Sequence, residues 1–222
     1  MPPLKNFFVF DLDGTLVDTL PDIAFHCNRI LERAGYSRWP AEDYRERLGW
    51  GLKETLQLSL PPETDGAELA GLMDAFKSSY TAEPVIQSAL YPGIEPLLTT
   101  LHKRGCRLMV YTNKVEETAR RILDILLPRH YFEAVLGAGE GRPHKPDPSA
   151  FLQYADGTQL EKSAILYVGD SPVDVETARR AEVDFAGVSW GYRSAAELRK
   201  AGCQTIISKT EELLLFQKPK IF

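Results

Sequence analysis

Two carboxylates one residue apart, Asp11 and Asp13, follow directly on the apolar run Phe7-Phe8-Val9-Phe10. Four consecutive β-prone residues without polar alternation read as a strand buried on both faces, as in the interior of a parallel sheet. Side chains alternate along extended backbone, so Asp11 and Asp13 leave the strand end on one side while Leu12 returns to the core. Gly14 then lets the chain turn away. Two acids this close repel each other, and the arrangement calls for a cation or for one retained proton. A hard divalent ion such as Mg²⁺ suits a site of carboxylates and water. One carboxylate could then serve as a nucleophile and the other, protonated, as a general acid. A bare D-x-D is equally a solvated strand exit, so the rest of the chain has to decide.

The elements that must position this pair fall into two grammars. After Asp18-Thr19, which can cap a helix, Pro21 stands in a first turn and Ile23, Cys27, Ile30, Leu31 and Ala34 recur at helical spacing until Gly35. Further helices are expected over 41–48, 52–59 and 67–80, the last with Leu69, Leu72, Met73, Phe76 and Tyr80 on one face. No strand is expected between about residues 20 and 88, which reads as a small helical bundle. From Tyr91-Pro92-Gly93 onward helix and strand alternate: strands at 107–111, 134–136, 164–168, 185–188 and 205–207, helices over 116–126, 149–154, 175–181 and 195–200. Alternation of this kind implies a parallel sheet covered on both faces, with ligands outside the carboxyl ends of its strands.

Composition narrows the partners. With 26 Lys+Arg against 31 Asp+Glu, a formal charge of -5 and no basic run, nucleic acid is not an expected partner. No apolar stretch approaches the length that crosses a bilayer, and the opening Met-Pro-Pro leads straight into the first strand, so a cytoplasmic chain is expected, neither a leader nor a membrane partner. Cys27, Cys106 and Cys203 are odd in number and lack C-x-x-C spacing, as expected of buried free thiols. The tail Lys218-Pro219-Lys220 reads as a solvated terminus.

Four stations line up at the expected strand ends and one loop: Asp11/Asp13, Thr112-Asn113, Lys145 in His144-Lys145-Pro146-Asp147-Pro148, and Asp170/Asp174 in Gly169-Asp170-Ser171-Pro172-Val173-Asp174. A hydroxyl, a lysine and four carboxylates are the parts that phosphoryl transfer needs: donors to phosphoryl oxygens, a cation to neutralise charge, and acids for Mg²⁺.

Through these motifs, with Gly14-Thr15-Leu16-Val17-Asp18 and Thr112-Asn113-Lys114, the chain resembles the haloacid dehalogenase superfamily of aspartate-nucleophile phosphohydrolases. It most resembles the phosphoglycolate phosphatase branch, through Leu20-Pro21-Asp22-Ile23, Gly49-Trp50-Gly51-Leu52, Tyr91-Pro92-Gly93 and Ser189-Trp190-Gly191-Tyr192. The resemblance implies a Rossmann-like α/β core with helices on both faces, over residues 1–18 and 89–222, and an inserted helical cap over 19–88. It implies Asp11 as nucleophile, Asp13 as acid and then base, Thr112 on the transferring phosphoryl group and Lys145 beside it. Mg²⁺ would be held by Asp11, the Asp13 carbonyl and Asp170, with Asp174 helping. The implied substrate is a small phosphate ester, and the implied assembly a monomer or homodimer. A departure from the family pattern lies at Ala155-Asp156-Gly157-Thr158, expected to interrupt a longer helix.

Several residues keep two readings. Asp174, Thr112 and Asn113 could each cap the helix that follows, and Asn113 could also meet substrate. Gly51 amides and Lys53 could meet an anionic substrate group at a helix start, or Lys53 could simply be solvated. Asp18 and Asp22 read as capping or surface acids, the four histidines as structural or solvated, and Trp39, Trp50 and Trp190 as packing residues, with Trp50 also placed to cover a substrate. Competing functions are a phosphosugar mutase or pyrophosphatase on the same scaffold, and a binding or regulatory module that has lost the chemistry.

Overall fold

A computed structural model describes residues 4–128 and 130–217; the tail Lys218-Pro219-Lys220 lies outside the described residues. Strand β1 (Phe7–Phe10) forms because nothing in it tolerates water: all four side chains are fully buried. Phe8 and Phe10 enter one hydrophobic cluster while Phe7 and Val9 enter another, on opposite faces of the sheet. A short β2 (Val17–Asp18) follows, and after a long helical stretch come β3 (Ala89–Leu90), β4 (Arg107–Val115), β5 (Ala134–Ala138), β6 (Ile165–Gly169), β7 (Asp184–Val188) and β8 (Ile206–Ile207).

Among the described residues, the main sheet has six strands in the order β5-β4-β1-β6-β7-β8, all pairs parallel. Phe7 pairs with Arg107 on one side and Ile165 on the other, so β1 is central. The chain runs outward from β1 through β4 to β5 and then returns to the far side of β1 at β6. That reversal opens a crevice at the carboxyl ends of β1, β4 and β6, where such sheets bind ligands.

Helices α1 (Leu20–Arg33), α2 (Tyr44–Arg47), α3 (Leu52–Gln57) and α4 (Gly66–Ala82) lie between β2 and β3. β2 and β3 pair antiparallel, Val17 with Leu90 and Asp18 with Ala89, so the helical stretch leaves and rejoins the core through a two-stranded ribbon. The buried faces of α1 and α4 carry the residues expected from spacing, including Ile23, Cys27, Leu31, Leu72 and Phe76. In the core, α5 (Ile94–Lys103), α6 (Glu116–Leu126), α7 (Ser149–Gly157), α8 (Pro172–Ala181) and α9 (Ala195–Lys200) alternate with the strands. The three cysteines are buried and free, and no helix among the described residues is long and apolar enough to cross a membrane.

Three local expectations are corrected. The helix expected over 41–48 is a 3-10 turn at Ala41–Asp43 leading into the four-residue α2, which stops as Leu48 turns extended before Gly49 and Gly51. β4 continues beyond residue 111 to Val115, so Thr112-Asn113-Lys114 is strand backbone, with a register irregularity against β5 between Tyr111 and Val115. The helix expected over 149–154 runs on to Gly157, and the Ala155-Asp156-Gly157-Thr158 stretch cuts it short there.

Candidate active site

The stations picked out at the strand ends converge. Asp11 sits just past β1 at 7% exposure, Lys145 at 4%, Asp170 at 1% and Asp174 at 0%, so the group is shut away from bulk water. The Lys145 ammonium donates to Asp11 Oδ1 at 2.8 Å and to Asp174 Oδ1 at 2.7 Å. Asp11, Asp170 and Asp174 each offer a carboxylate oxygen within 4.8 Å of the others. One ammonium against three buried carboxylates leaves a deficit of positive charge, and the donor set is all hard oxygen. That combination fits a divalent cation.

The backbone is shaped around these carboxylates. Gly14, at φ +81°, has left-handed geometry, and a Cβ there would meet Asp170 Oδ2 at 2.4 Å. A Cβ on Gly191 would come 2.2 Å from the Gly14 carbonyl and 2.4 Å from Asp170 Cβ. Only bare backbone fits against the Asp170 side chain. Its carboxylate accepts the Tyr192 N–H at 2.7 Å and the Thr15 hydroxyl at 3.3 Å.

Electrostatics follows from burial. Burial raises Asp11 to about 7, with repulsion from Asp174 added and Lys145 opposing. Burial, then Asp174 and Asp11, push Asp170 well above the usual carboxylate range. For Lys145 burial acts downward, yet Asp11 and Asp174 together lift the ammonium above its ordinary value. Two acids here hold protons more tightly than solvent-exposed acids do, which a bound cation would reverse.

Asp174 takes part in opening α8 and also meets Lys145. Its Oδ2 accepts the Ser171 hydroxyl at 2.6 Å and the Ser171 N–H at 3.1 Å in a capping box that opens α8, while Oδ1 holds Lys145. Thr112 is buried and lines the cavity. The Thr112 and Asn113 side chains do not cap α6, whose N-cap is Val115. The Asn113 amide is engaged by backbone: its Oδ1 accepts the Lys145 N–H at 2.7 Å, and its Nδ2 donates to the carbonyls of Lys145 at 3.2 Å and Gly49 at 3.1 Å. Asn113 thus fixes the lysine loop and touches the loop ahead of α3. Gly51, Lys53 and Trp50 line the cavity from the helical side, with Lys53 exposed and Trp50 52% exposed.

The Asp13 carboxylate stands apart from the three-acid cluster. It accepts the Thr19 hydroxyl at 2.6 Å and is bridged by the Lys114 ammonium at 2.9 and 3.0 Å. Thr19 is therefore the N-cap of α1 in position only, its hydroxyl being turned to Asp13. The Tyr192 hydroxyl accepts the Thr19 N–H at 2.9 Å. Asp22 is neither a capping nor a surface acid: it is fully buried and accepts the N–H groups of Ile86, Gln87 and Ser88 at 2.9 Å and the Ser88 hydroxyl at 2.5 Å. His26 is likewise structural, held between the Ser79 hydroxyl and the Glu83 carbonyl. Lys114, Thr19 and Tyr192 escaped the sequence reading because their roles depend on partners far along the chain. The one available signal was that Lys114 and Tyr192 stand inside the quoted motifs.

Both the strand ends and the helices wall a cavity of about 620 Å³, within the range of small-molecule sites. Its helical side carries Ile23, Leu48, Leu52, Met73, Phe76 and Tyr80, and its core side the carboxylates and Lys145.

Fold and cluster together define an α/β protein with a parallel sheet, whose polar groups gather at the carboxyl ends of the central strands. A family model described as haloacid dehalogenase-like hydrolase matches residues 8–188. A phosphoglycolate phosphatase of Cereibacter sphaeroides is 37% identical over 190 residues, covering 84% of this chain and 86% of the relative. Another, of Nitrosospira multiformis, is 31% identical over 221 residues, covering 97% of each. Among solved structures, a haloacid dehalogenase-like family hydrolase from Streptococcus pneumoniae superposes with a TM-score of 0.85 at 25% identity, over 96% of this chain and 98% of that one. The chain belongs to the haloacid dehalogenase-like hydrolase family, as its motifs suggested, and within it is a phosphatase.

Proposed function

We propose that this phosphatase is a Mg²⁺-dependent phosphomonoester hydrolase that works through an aspartyl-phosphate on Asp11 and takes a small substrate resembling 2-phosphoglycolate. The observation that carries the reading is the buried Asp11, held by Lys145 and lying within 4.8 Å of Asp170. The names of the relatives support the substrate class.

Asp11 Oδ attacks phosphorus, the bond from phosphorus to the ester oxygen breaks, and Asp13 gives that oxygen its proton. Asp13 then takes a proton from a water that attacks the aspartyl-phosphate, releasing inorganic phosphate and restoring Asp11. The Thr112 hydroxyl holds a phosphoryl oxygen, and Lys145 stabilises charge on nucleophile and phosphoryl group from its anchor on Asp174. Mg²⁺ would be held by Asp11, the Asp13 carbonyl and Asp170, with Asp174 acting mainly through Lys145. When bound it supplies charge neutralisation to the transferring phosphoryl group.

In this reading residues 1–18 and 89–222 form the catalytic core and residues 19–88 a cap that closes over it. Support comes from the β2–β3 ribbon through which the helices leave and return, and from a cavity walled on both sides. Purified protein should release phosphate from 2-phosphoglycolate with Mg²⁺, and Asp11→Asn should lower kcat by about 10⁴-fold or more. A broad panel of phosphomonoesters giving no phosphate with Mg²⁺ would overturn the reading.

A further inference from the structure

Lys114 has no part in the reaction as written above, yet its surroundings are those of a binding group. Its ammonium lies 2.9 and 3.0 Å from the two Asp13 oxygens and 4.5 Å from the centre of the Tyr80 ring. Only 6% of the side chain is exposed. An ammonium kept this far from water requires an anion or an aromatic face beside it. Asp13 is the group that hands its proton to the leaving oxygen, so the substituent on that oxygen must come to rest within a few ångströms of Lys114.

The other cations around the cavity are placed differently. Lys145 sits between Asp11 and Asp174 on the phosphoryl side. Arg193 donates to the carbonyls of Glu46 and Leu48. Lys53 is exposed, and Lys77 is 44% exposed beside Asp74. Beside Lys114 the Tyr80 ring packs edge-on against Phe76 at 5.3 Å. Among the cavity's lysines and arginine, Lys114 is thus the one set beside the leaving-group side, where a negative charge on the substrate would be stabilised.

We propose that Lys114 is a specificity residue that receives a carboxylate carried next to the leaving oxygen, so that the enzyme selects phosphate esters of hydroxy acids over those of neutral alcohols. This rests on the phosphatase reading above, because it takes Asp13 to stand at the leaving oxygen. Once Asp13 carries the proton meant for the leaving oxygen it no longer balances the ammonium, and a neutral substituent would not replace that charge; sites built around a polar contact reject analogues that lack the partner group.

The test is steady-state kinetics on 2-phosphoglycolate, on its uncharged amide 2-phosphoglycolamide, and on p-nitrophenyl phosphate as a general phosphatase probe. Wild type should prefer the acid to the amide by about 100-fold in kcat/KM. Lys114→Met should bring that ratio to within about threefold, chiefly through a higher KM for the acid, and Lys114→Arg should keep a preference of about tenfold or more. Lys114→Gln serves as a second neutral variant should the Met protein not fold. A ratio unchanged in the neutral variants, with both substrates slowed alike, would make Lys114 a counter-ion of Asp13 and overturn the proposal. A wild-type ratio near one, with p-nitrophenyl phosphate still hydrolysed, would overturn it while leaving the phosphatase reading intact. Absence of turnover on all three probes would remove that reading and this proposal together.

Discussion

The two walls of the cavity are built by different rules. On the core side every charged group of the cluster is fixed by several partners: Asp170 by the Tyr192 N–H and the Thr15 hydroxyl, Asp174 by Ser171 and Lys145, Asp11 by Lys145 and the Leu12 N–H at 2.7 Å. On the helical side the wall is an apolar face with an exposed Trp50 and an exposed Lys53, and neither has a side-chain hydrogen bond among the described residues. Polar ties between the walls include Asn113 to the Gly49 carbonyl, Thr81 with Thr118 at 2.7 Å, and Arg193 to the end of α2. Chemistry needs side chains held to within a fraction of an ångström, whereas choice of substrate tolerates a wall that can move.

The contrast is sharpest at Asp170, where the largest effect is expected. Asp170→Asn is nearly isosteric and keeps an acceptor for the Tyr192 N–H, so the fold should survive. It also removes one of three crowded carboxylates, and the metal-free variant should melt no lower than the metal-free wild type. Activity should nonetheless fall by about 10³-fold or more. Addition of Mg²⁺ at 100 times its Kd should stabilise wild type by about 2.7 kcal/mol and the variant by far less. Differential scanning calorimetry with and without Mg²⁺ reads this directly; equal Mg²⁺ stabilisation of both proteins would remove Asp170 from the cation site.

That the carboxylate cluster was legible in the sequence and the contacts around Asp13, Asp22 and the end of α2 were not has a physical basis. Asp11, Lys145 and Asp170 each follow a local rule, an apolar run or a turn that delivers one residue type to a strand end, and alternation of strand and helix then brings the ends together. Lys114 and Asp13 meet across 101 residues, and Thr19 and Tyr192 across 173, with no local pattern to announce either pairing. Nothing in the local sequence announces that Gly191 leaves room for Asp170. Asp22 was misread because an acid in the first turn of a helix usually faces water, and only the returning chain at residues 86–88 buries it. Helix lengths failed at α2 because two glycines with one residue between them, Gly49 and Gly51, allow the chain to break the pattern.

Asp22 lies at the joint between the two regions, and an intermediate effect is expected there. Four donors converge on it, three on Oδ2 and one on Oδ1. In Asp22→Asn one end of the side chain becomes an NH₂ that must face an N–H or a hydroxyl donor. The cost should be about 2–4 kcal/mol in global stability, measured by urea denaturation. These hydrogen bonds outweigh burial, which acts upward, and hold the Asp22 carboxyl below the usual carboxylate range. A carboxylate with a depressed folded pKa contributes stability that is fully present above its unfolded value of about 3.9 and is lost as pH falls through the folded value. Wild type should therefore lose more stability than the variant as pH is lowered from about 5 toward 2. Parallel pH profiles would show that the Asp22 carboxylate is not what holds the returning chain at residues 86–88.

The smallest effect is expected at Arg193, where the two walls are joined by a single side chain. Its guanidinium donates to the carbonyls of Arg45, Glu46 and Leu48, which helix α2 leaves without partners of its own at its end. Arg193 follows Tyr192, whose N–H holds Asp170, so one loop touches both the cluster and the helical wall. Arg193→Ala should lower kcat/KM by about threefold to tenfold, mainly through KM, with stability changed by about 1 kcal/mol. Arg193→Lys should recover little of this, because one ammonium cannot reach three carbonyls in the plane that a guanidinium spans. If the alanine variant matched wild type in KM, the helical wall would hold its position without this tie, and its freedom to move would have to be set by the β2–β3 ribbon instead.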